Sequence, residues 1–229
     1  MSALTTLKAA AVDIDGVLAA DTFSPVIRQL VEAYGGTYDR DIERNVFSQN
    51  RQAAARYLLD RLGLSVPEDA FIAEYFERRA AWIAANGGGL NPGVGPFLDV
   101  LAQGDLRLVC YGGLAAPHFE RELGAWAARF ETYVCTNEFR PGVVEITRDV
   151  LRLPPREVLF FDDVARVAEA ARALGCAFVG VPSPFPWGFQ RTDMEAAGVD
   201  YRLHSLSEWT VALQTEVDRR AAGGFWGAS

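Results

Sequence analysis

Short apolar runs alternate with stretches of helical periodicity along most of the chain. Four runs of four to seven residues, bounded by glycine or aspartate, lie at 8–14, 106–110, 158–161 and 177–181, and a weaker fifth lies at 132–135. Apolar runs without strict polar alternation are typical of strands that are buried on both faces of a parallel sheet. We therefore predict five parallel strands.

Helical patterns lie between these runs. Apolar residues recur at helical spacing over 93–104, 117–129, 142–152 and 165–174. Strands that alternate with helices indicate an α/β, doubly wound, Rossmann-like parallel sheet. In such a sheet, ligands bind beyond the carboxyl ends of the strands.

One segment departs from the alternation. Three helical patterns follow one another after Ser24, over 39–62 and over 67–85, and each ends at glycine. We expect an all-helical unit inserted between the first two strands of the sheet. The predicted domains are a Rossmann-like core, residues 1–17 and 91–229, and a helical cap, residues 18–90.

Composition narrows the class of partner. The 229 residues include 30 acidic and 22 basic residues, for a net charge of -8. This balance argues against a nucleic-acid partner and against docking on an anionic membrane. Neither a signal peptide nor a membrane-spanning run is apparent, and Cys110, Cys135 and Cys176 form no metal or disulfide pattern. We expect a cytoplasmic protein, and nothing in the sequence decides its oligomeric state.

Two acidic pairs follow predicted strands. Asp13 and Asp15 end the first strand, and Asp162 and Asp163 end a later one. Like charges buried together are costly without a cation between them, and oxygen ligands favour Mg²⁺. We therefore predict a magnesium site formed by these four aspartates.

At this point the chain resembles a known family. The sequence DIDGVL at 13–18, a helical insert and an acidic pair after a later strand resemble the haloacid dehalogenase (HAD) superfamily. The cap type and length resemble its phosphoglycolate phosphatase and β-phosphoglucomutase-like branch. The resemblance covers about residues 8–210 and implies a Mg²⁺-dependent phosphohydrolase acting on a small phosphorylated metabolite.

The resemblance also implies residue roles. Asp13 matches the nucleophile, which forms an aspartyl-phosphate, and Asp15 matches the general acid and base. The Asp13 carboxylate and the Asp15 backbone carbonyl would bind Mg²⁺. Asp163 would be the main carboxylate ligand from the later strand, with Asp162 beside it.

The third motif of the family usually contains lysine. Lys8 is the only lysine here and precedes the first strand, at the end away from the predicted site. Arg140 stands before Pro141 at the matching position. We interpret Arg140 as the phosphate-binding cation, because guanidinium also binds phosphate.

The second motif departs from the family pattern. Its Ser or Thr, which binds the transferred phosphoryl group, is replaced by Tyr111, followed by Gly112 and Gly113. The hydroxyl of Tyr111 would either reach the phosphate or only fill the pocket, and both glycines could offer backbone N–H groups to an anion. Val164 and Val167 replace polar residues that often follow the acidic pair.

The cap supplies candidates for substrate contact. Asn50, Arg51 and Arg56 lie along one predicted cap helix, and Arg51 could bind a second anionic group. Trp82 and the loop at 184–187 could form a wall of the site. His118 and His204 show no partner pattern, which predicts surface or helix-end positions for both.

Two other functions stay open. A catalytically impaired HAD-fold binding or accessory protein is consistent with Tyr111, Val164 and Val167. A 2-haloacid dehalogenase would also use Asp13 as nucleophile, but that branch of the family lacks the second aspartate. A phosphohydrolase is the interpretation that accounts for both acidic pairs.

Overall fold

A five-stranded parallel sheet forms the centre of the molecule. The structure, a computed structural model, describes residues 4–227. The strands are β1 (Ala9–Asp13), β2 (Arg107–Gly112), β3 (Thr132–Cys135), β4 (Val158–Asp162) and β5 (Ala177–Gly180), in the spatial order β3-β2-β1-β4-β5. Every residue of β1, β4 and β5 is buried, which explains their continuous apolar sequences. The predicted doubly wound α/β fold is confirmed.

The order of the strands reverses beside β1. The chain places β2 and β3 on one side of β1 and then returns to place β4 on the other side. In register, Asp13 lies opposite Tyr111 of β2, and Val12 lies opposite Phe161 of β4. A crevice therefore opens where β1 and β4 end, which is the usual ligand position in this architecture.

The first four of the helices between β1 and β2 belong to the predicted insert. They are α1 (Ser24–Ala33), α2 (Arg40–Val46), α3 (Arg51–Leu62) and α4 (Glu68–Asn86). The cap boundaries at 18 and 90 stay a prediction. The insert buries an apolar cluster of its own, here called the cap core: Ile27, Leu30, Val31, Ile42, Val46, Phe47, Ala54, Ala55, Leu58, Leu59 and Phe71.

The helix predicted over 39–62 is two helices. The chain leaves α2 at Phe47, passes through a left-handed residue at Ser48, where φ is 51°, and re-enters a helix after Asn50. The Asn50 side chain accepts hydrogen bonds from the N–H groups of Gln52 and Ala53. Asn50 therefore caps α3.

The remaining helices cover the sheet. They are α5 (Val94–Gln103), α6 (Ala116–Leu123), α7 (Val143–Glu145), α8 (Ala165–Leu174), α9 (Gln190–Ala196) and α10 (Val211–Ala222). The patterns at 117–129 and 142–152 are shorter as α-helix than predicted, because α6 continues as a 3-10 helix and α7 as a π-helix. Within residues 4–227, no helix has both the length and the apolar character needed to cross a membrane.

Candidate active site

Asp13 is the last residue of β1 and lies buried at the carboxyl edge of the sheet. Burial raises the pKa of the Asp13 carboxyl well above its usual value, and repulsion from Asp162 raises it further. The positive charge of Arg140 and the backbone N–H of Asp15, which donates to the carboxylate, act in the opposite direction. Asp13 thus carries a desolvated carboxylate whose negative charge is only partly compensated.

Asp162 ends β4 beside Asp13 and is held by two donors. The Tyr111 hydroxyl donates to Asp162 Oδ2 at 2.6 Å, and the Val164 N–H donates to Oδ1 at 2.8 Å. Burial raises the pKa of Asp162 to about 6, although both hydrogen bonds lower it. Tyr111 is fully buried.

These contacts bear on the predictions for Tyr111 and Gly112. Tyr111 does not line the cavity described below, and its hydroxyl is engaged by a carboxylate. Gly112 is also buried, and its carbonyl accepts hydrogen bonds from the N–H and hydroxyl of Thr136 at 2.8 and 3.0 Å. Of the two roles that the sequence left open for Tyr111, these contacts favour the one without phosphate contact, and the role of the Gly112 and Gly113 N–H groups stays a prediction.

Asp163 lies against the loop that follows β1. A Cβ atom at position 16 would come within 2.3 Å of Asp163 Oδ2, and Gly16 has φ of +100°, a conformation that favours glycine. Burial raises the pKa of Asp163 well above its usual value, and Asp162 and Asp13 raise it further. Glycine at position 16 is what lets the second acidic pair approach the first.

Asp15 faces two partners from different parts of the chain. His118 Nε2, in the first turn of α6, lies 2.9 and 3.1 Å from the two Asp15 carboxylate oxygens. Arg79 Nη2, on α4 of the insert, donates to Asp15 Oδ1 at 3.1 Å, and Arg79 Nε donates to Thr22 at 2.8 Å. Asp15 is therefore fixed by one basic group of the core and one of the cap.

Both ring nitrogens of His118 have charged neighbours. Arg121 Nη2 lies 3.0 Å from His118 Nδ1, and Glu122 Oε1 lies 3.6 Å from the same nitrogen. Because an ionised carboxylate can only accept, Nε2–H is the group that donates to Asp15.

Sequence reasoning missed both partners of Asp15. His118 is buried, with 5% of its surface exposed, and lies in the first turn of α6, so the helix end is the one of its two predicted positions that is observed. The available clue was that His118 lies at the start of the first helix after β2, because the carboxyl ends of parallel strands share one edge of the sheet. Arg79 lies on the same face of α4 as the apolar Ile72 and Tyr75. A cation on an apolar helix face was the clue in this case.

Arg140 lies in the wall of the cavity beside Gly113. A Cβ at position 113 would come within 2.3 Å of Arg140 Nη2, so the guanidinium occupies the space that glycine leaves. Arg140 Nε is buried without a hydrogen-bond partner among residues 4–227. The charge of Arg140 lowers the pKa of both Asp13 and Asp162. Position and charge suit the phosphate contact predicted for Arg140.

Arg51 connects the cap with the loops of the core. Its Nη2 donates to the Gly113 carbonyl at 3.2 Å, and its backbone N–H donates to Asn137 Oδ1 at 3.1 Å. The guanidinium also lies 5.2 Å from the ring centre of Phe76. Arg51 therefore borders the cavity at the junction of cap and core.

One cavity of about 150 Å³ joins these groups. Its lining comprises two chemically different ends. The charged end is formed by Asp13, Asp15, Asp162, Asp163, Arg51, Arg79 and Arg140. The apolar end penetrates the insert, where eight of the eleven cap-core residues line it, all but Val31, Ile42 and Leu59.

Other predicted contacts lie outside this lining. Trp82 and the loop at 184–187 do not line the cavity, which leaves packing, the other role that the sequence offered for them. Trp187 packs against Tyr38 instead, with ring centres 5.3 Å apart. Arg56 is exposed and pairs with Glu68 at 2.9 Å.

The magnesium ligands predicted among the four aspartates stay a prediction. Among residues 4–227, no three His, Cys, Asp or Glu side chains are arranged to hold a metal ion. Asp15 faces His118 and Arg79, and Asp162 faces Tyr111. Asp13 and Asp163 remain as two buried carboxylates that raise one another's energy. Such a pair fits a cation that takes one or two carboxylates and completes its shell with water and phosphate oxygens.

Neither a family model nor a curated protein matches the sequence. Solved structures do match. A β-phosphoglucomutase from Clostridium difficile is 14% identical, with a TM-score of 0.70 over 95% of this chain and 99% of that chain. A structure described as a predicted phosphoglycolate phosphatase from Haemophilus somnus is 17% identical, with a TM-score of 0.63 over 93% and 99%. A HAD hydrolase of family IA from Entamoeba histolytica is 12% identical, with a TM-score of 0.67 over 93% and 100%.

These matches cover the sheet and the insert together. The chain shares the fold of these three proteins, which is the fold that the sequence resemblance implied. At identities of 12–17%, the similarity establishes the fold, and the argument for activity has to come from the site.

Proposed function

We propose that the protein is a magnesium-dependent phosphohydrolase of small phosphate monoesters, with Asp13 as nucleophile and Asp15 as general acid and base. The observation that carries this proposal is the charged end of the cavity. Two acidic pairs from adjacent strands meet there, and Arg140 contributes a buried N–H without a partner. An anion that attacks an anion needs this mixture of carboxylates and compensating cations.

The reaction proceeds in two displacements. A carboxylate oxygen of Asp13 attacks phosphorus, the ester P–O bond breaks, and its electron pair stays on the leaving alkoxide oxygen, which takes a proton from Asp15. Asp15 then removes a proton from water, the water oxygen attacks phosphorus, and the bond between phosphorus and Asp13 breaks. Inorganic phosphate leaves, and Asp13 and Asp15 return to their starting states.

Other residues orient the reacting groups and bind the phosphoryl group. His118 and Arg79 orient the Asp15 carboxyl toward the cavity, and Arg140 binds the phosphoryl oxygens. Asp13, Asp163 and the Asp15 carbonyl would hold Mg²⁺. When bound, Mg²⁺ neutralises negative charge on the phosphoryl group and on Asp13.

The first test is hydrolysis of a simple phosphate ester. We expect release of inorganic phosphate from methyl phosphate to require Mg²⁺ and to fall by at least about 1,000-fold in Asp13→Asn. Asp105→Asn is the matched control, because Asp105 is exposed and has φ of 55°, which asparagine also adopts. Activity that survives in Asp13→Asn would reject the mechanism.

A second candidate, a binding protein without turnover, is favoured by one observation. The hydroxyl that the family's second motif presents to phosphate is here bound to Asp162. This alternative predicts that the protein binds Mg²⁺ and phosphate but hydrolyses no ester in a broad panel. Turnover of any member of that panel would exclude it.

A further inference from the structure

The cavity beyond the phosphoryl site has an apolar composition that restricts the substrate. Its inner end is formed by the cap core, and Leu114 and Val164 extend the apolar surface to the charged end. We infer that this end receives the organic group of the substrate, and that this group is a short apolar chain or ring rather than a polyol. The inference rests on the proposed phosphohydrolase function and adds the substrate class to it.

Few polar side chains could serve the hydroxyl groups of a sugar. Apart from charged residues, the lining side chains with a polar group are Thr22, Ser48, Gln49, Tyr75 and Asn137. The Thr22 hydroxyl accepts from Arg79, and Asn137 bonds to Arg51 through Oδ1 and to Glu138 through Nδ2. Within this set, Ser48 Oγ is buried without a hydrogen-bond partner among residues 4–227.

The nearby cations are engaged as well. Arg51 donates to the Gly113 carbonyl and lies over Phe76, and Arg79 donates to Asp15 and Thr22. A polyol in this cavity would leave several hydroxyls without hydrogen bonds, which is costly in a desolvated site. An alkyl group would lose nothing on entry and would gain contacts with the cap core.

Size sets a further limit. The whole cavity measures about 150 Å³. A dry cavity of this volume with aliphatic and aromatic walls accommodates a molecule the size of benzene. With the phosphoryl group at the charged end, the space left suits a chain of about three or four carbons.

The test uses the full-length protein, Mg²⁺ and a homologous series of methyl, ethyl, propyl and butyl phosphate. Each buried methylene should raise kcat/KM by about fourfold until the cavity is full. Glycerol 3-phosphate is the matched comparison for propyl phosphate, because both have three carbons and a primary ester. We expect kcat/KM for propyl phosphate to exceed that for glycerol 3-phosphate by at least about tenfold.

Two variants test whether the lining of the cavity causes the preference for propyl phosphate. Val46→Thr keeps the shape of a lining residue and adds a hydroxyl, and Val31→Thr makes the same change in a cap-core residue that does not line the cavity. Val46→Thr should reduce the ratio between propyl and methyl phosphate, and Val31→Thr should leave it unchanged. If Val46→Thr folds poorly, Ala55→Leu fills the same space and should lower kcat/KM for butyl phosphate more than for methyl phosphate.

The outcomes separate this inference from the proposed function. Two results would overturn the apolar substrate class and leave the phosphohydrolase in place. These are equal kcat/KM values for propyl phosphate and glycerol 3-phosphate, or a higher value for glycerol 3-phosphate. If no ester is hydrolysed, the proposed function fails, and calorimetry with propylphosphonate and methylphosphonate decides the rest. Tighter binding of propylphosphonate supports the apolar site, and equal affinities overturn it.

Discussion

At the scale of single residues, the unusual feature of the site is how closely Asp15 is held. Both carboxylate oxygens lie within hydrogen-bond distance of His118 Nε2, and Arg79 contacts one of them. An acid that must donate and then remove a proton along one direction gains from such restraint. His118 is therefore a positioning residue in the proposed reaction.

We expect His118→Ala to lower kcat by about 10- to 100-fold with little change in KM, because Asp15 loses its orientation while the phosphoryl contacts persist. His118→Gln should recover part of kcat, since its amide N–H can reach the place of Nε2–H. Steady-state kinetics of both variants check this.

His204→Ala is the natural control for these variants. His204 is the other histidine of the chain and is exposed. It should leave kcat unchanged. A fall in KM alone, or the same loss for alanine and glutamine at position 118, would contradict a positioning role.

At the scale of secondary-structure elements, the sequence predicted the sheet well and the helices less well. Strands such as β4 are buried on both faces, and their continuous apolar sequences predict this burial. The break between α2 and α3 was missed because the pattern over 39–62 was interpreted as continuous, whereas Asn50, which caps α3, also donates to the carbonyl of Asn137, a residue far away in sequence. The same reason hid Arg79 and His118: their partner lies far away in sequence.

The N-terminal segment before β1 is tied to α10 by one carboxylate. Asp218 accepts hydrogen bonds from the N–H groups of Thr5, Thr6 and Leu7 at 2.7–2.9 Å. Burial acts to raise the pKa of Asp218, but these bonds outweigh it and lower the pKa below its usual value. The ionised form is therefore the one that stabilises the fold.

We expect Asp218→Ala to reduce the free energy of unfolding by about 2–3 kcal/mol at pH 7, because three backbone donors lose a charged acceptor. A lowered pKa contributes stability that is complete above the ordinary value of 3.8 and is lost as the pH falls through the folded-state pKa. The difference between wild type and variant should thus shrink below about pH 4. Urea unfolding at several pH values measures it.

Asp200→Ala provides the comparison. Asp200 is exposed and pairs with Arg220 at the surface, so its loss should cost at most about 1 kcal/mol. A difference for Asp218→Ala that stays constant from pH 7 to pH 3, or equal losses for the two variants, would exclude the proposed role of the Asp218 carboxylate.

At the scale of the whole molecule, Arg79 connects the insert to the chemistry of the core. It lies on α4, and only 11% of its side chain is exposed where it meets Asp15. Helix α4 also packs against α1 and α3, whose residues form most of the cap core. A change in the position of the cap would therefore change the orientation of the Asp15 carboxyl.

We expect Arg79→Gln to lower the free energy of unfolding by about 2–3 kcal/mol, because it leaves a partly buried Asp15 without its ionic partner. It should also lower kcat. The neighbouring Arg78→Gln removes a more exposed pair within α4 and should cost only about 0.5 kcal/mol. Chemical denaturation and kinetics of both variants check this, and similar small effects would refute the connection.

The cavity inside the cap core has an evolutionary consequence. The side chains that would choose the substrate are the side chains that keep the insert folded, so a mutation that admits a new organic group also changes the packing on which the insert depends. Most substitutions there carry a penalty before they bring any benefit. New specificity in this lineage therefore has to be preceded by stabilising changes outside the cap core.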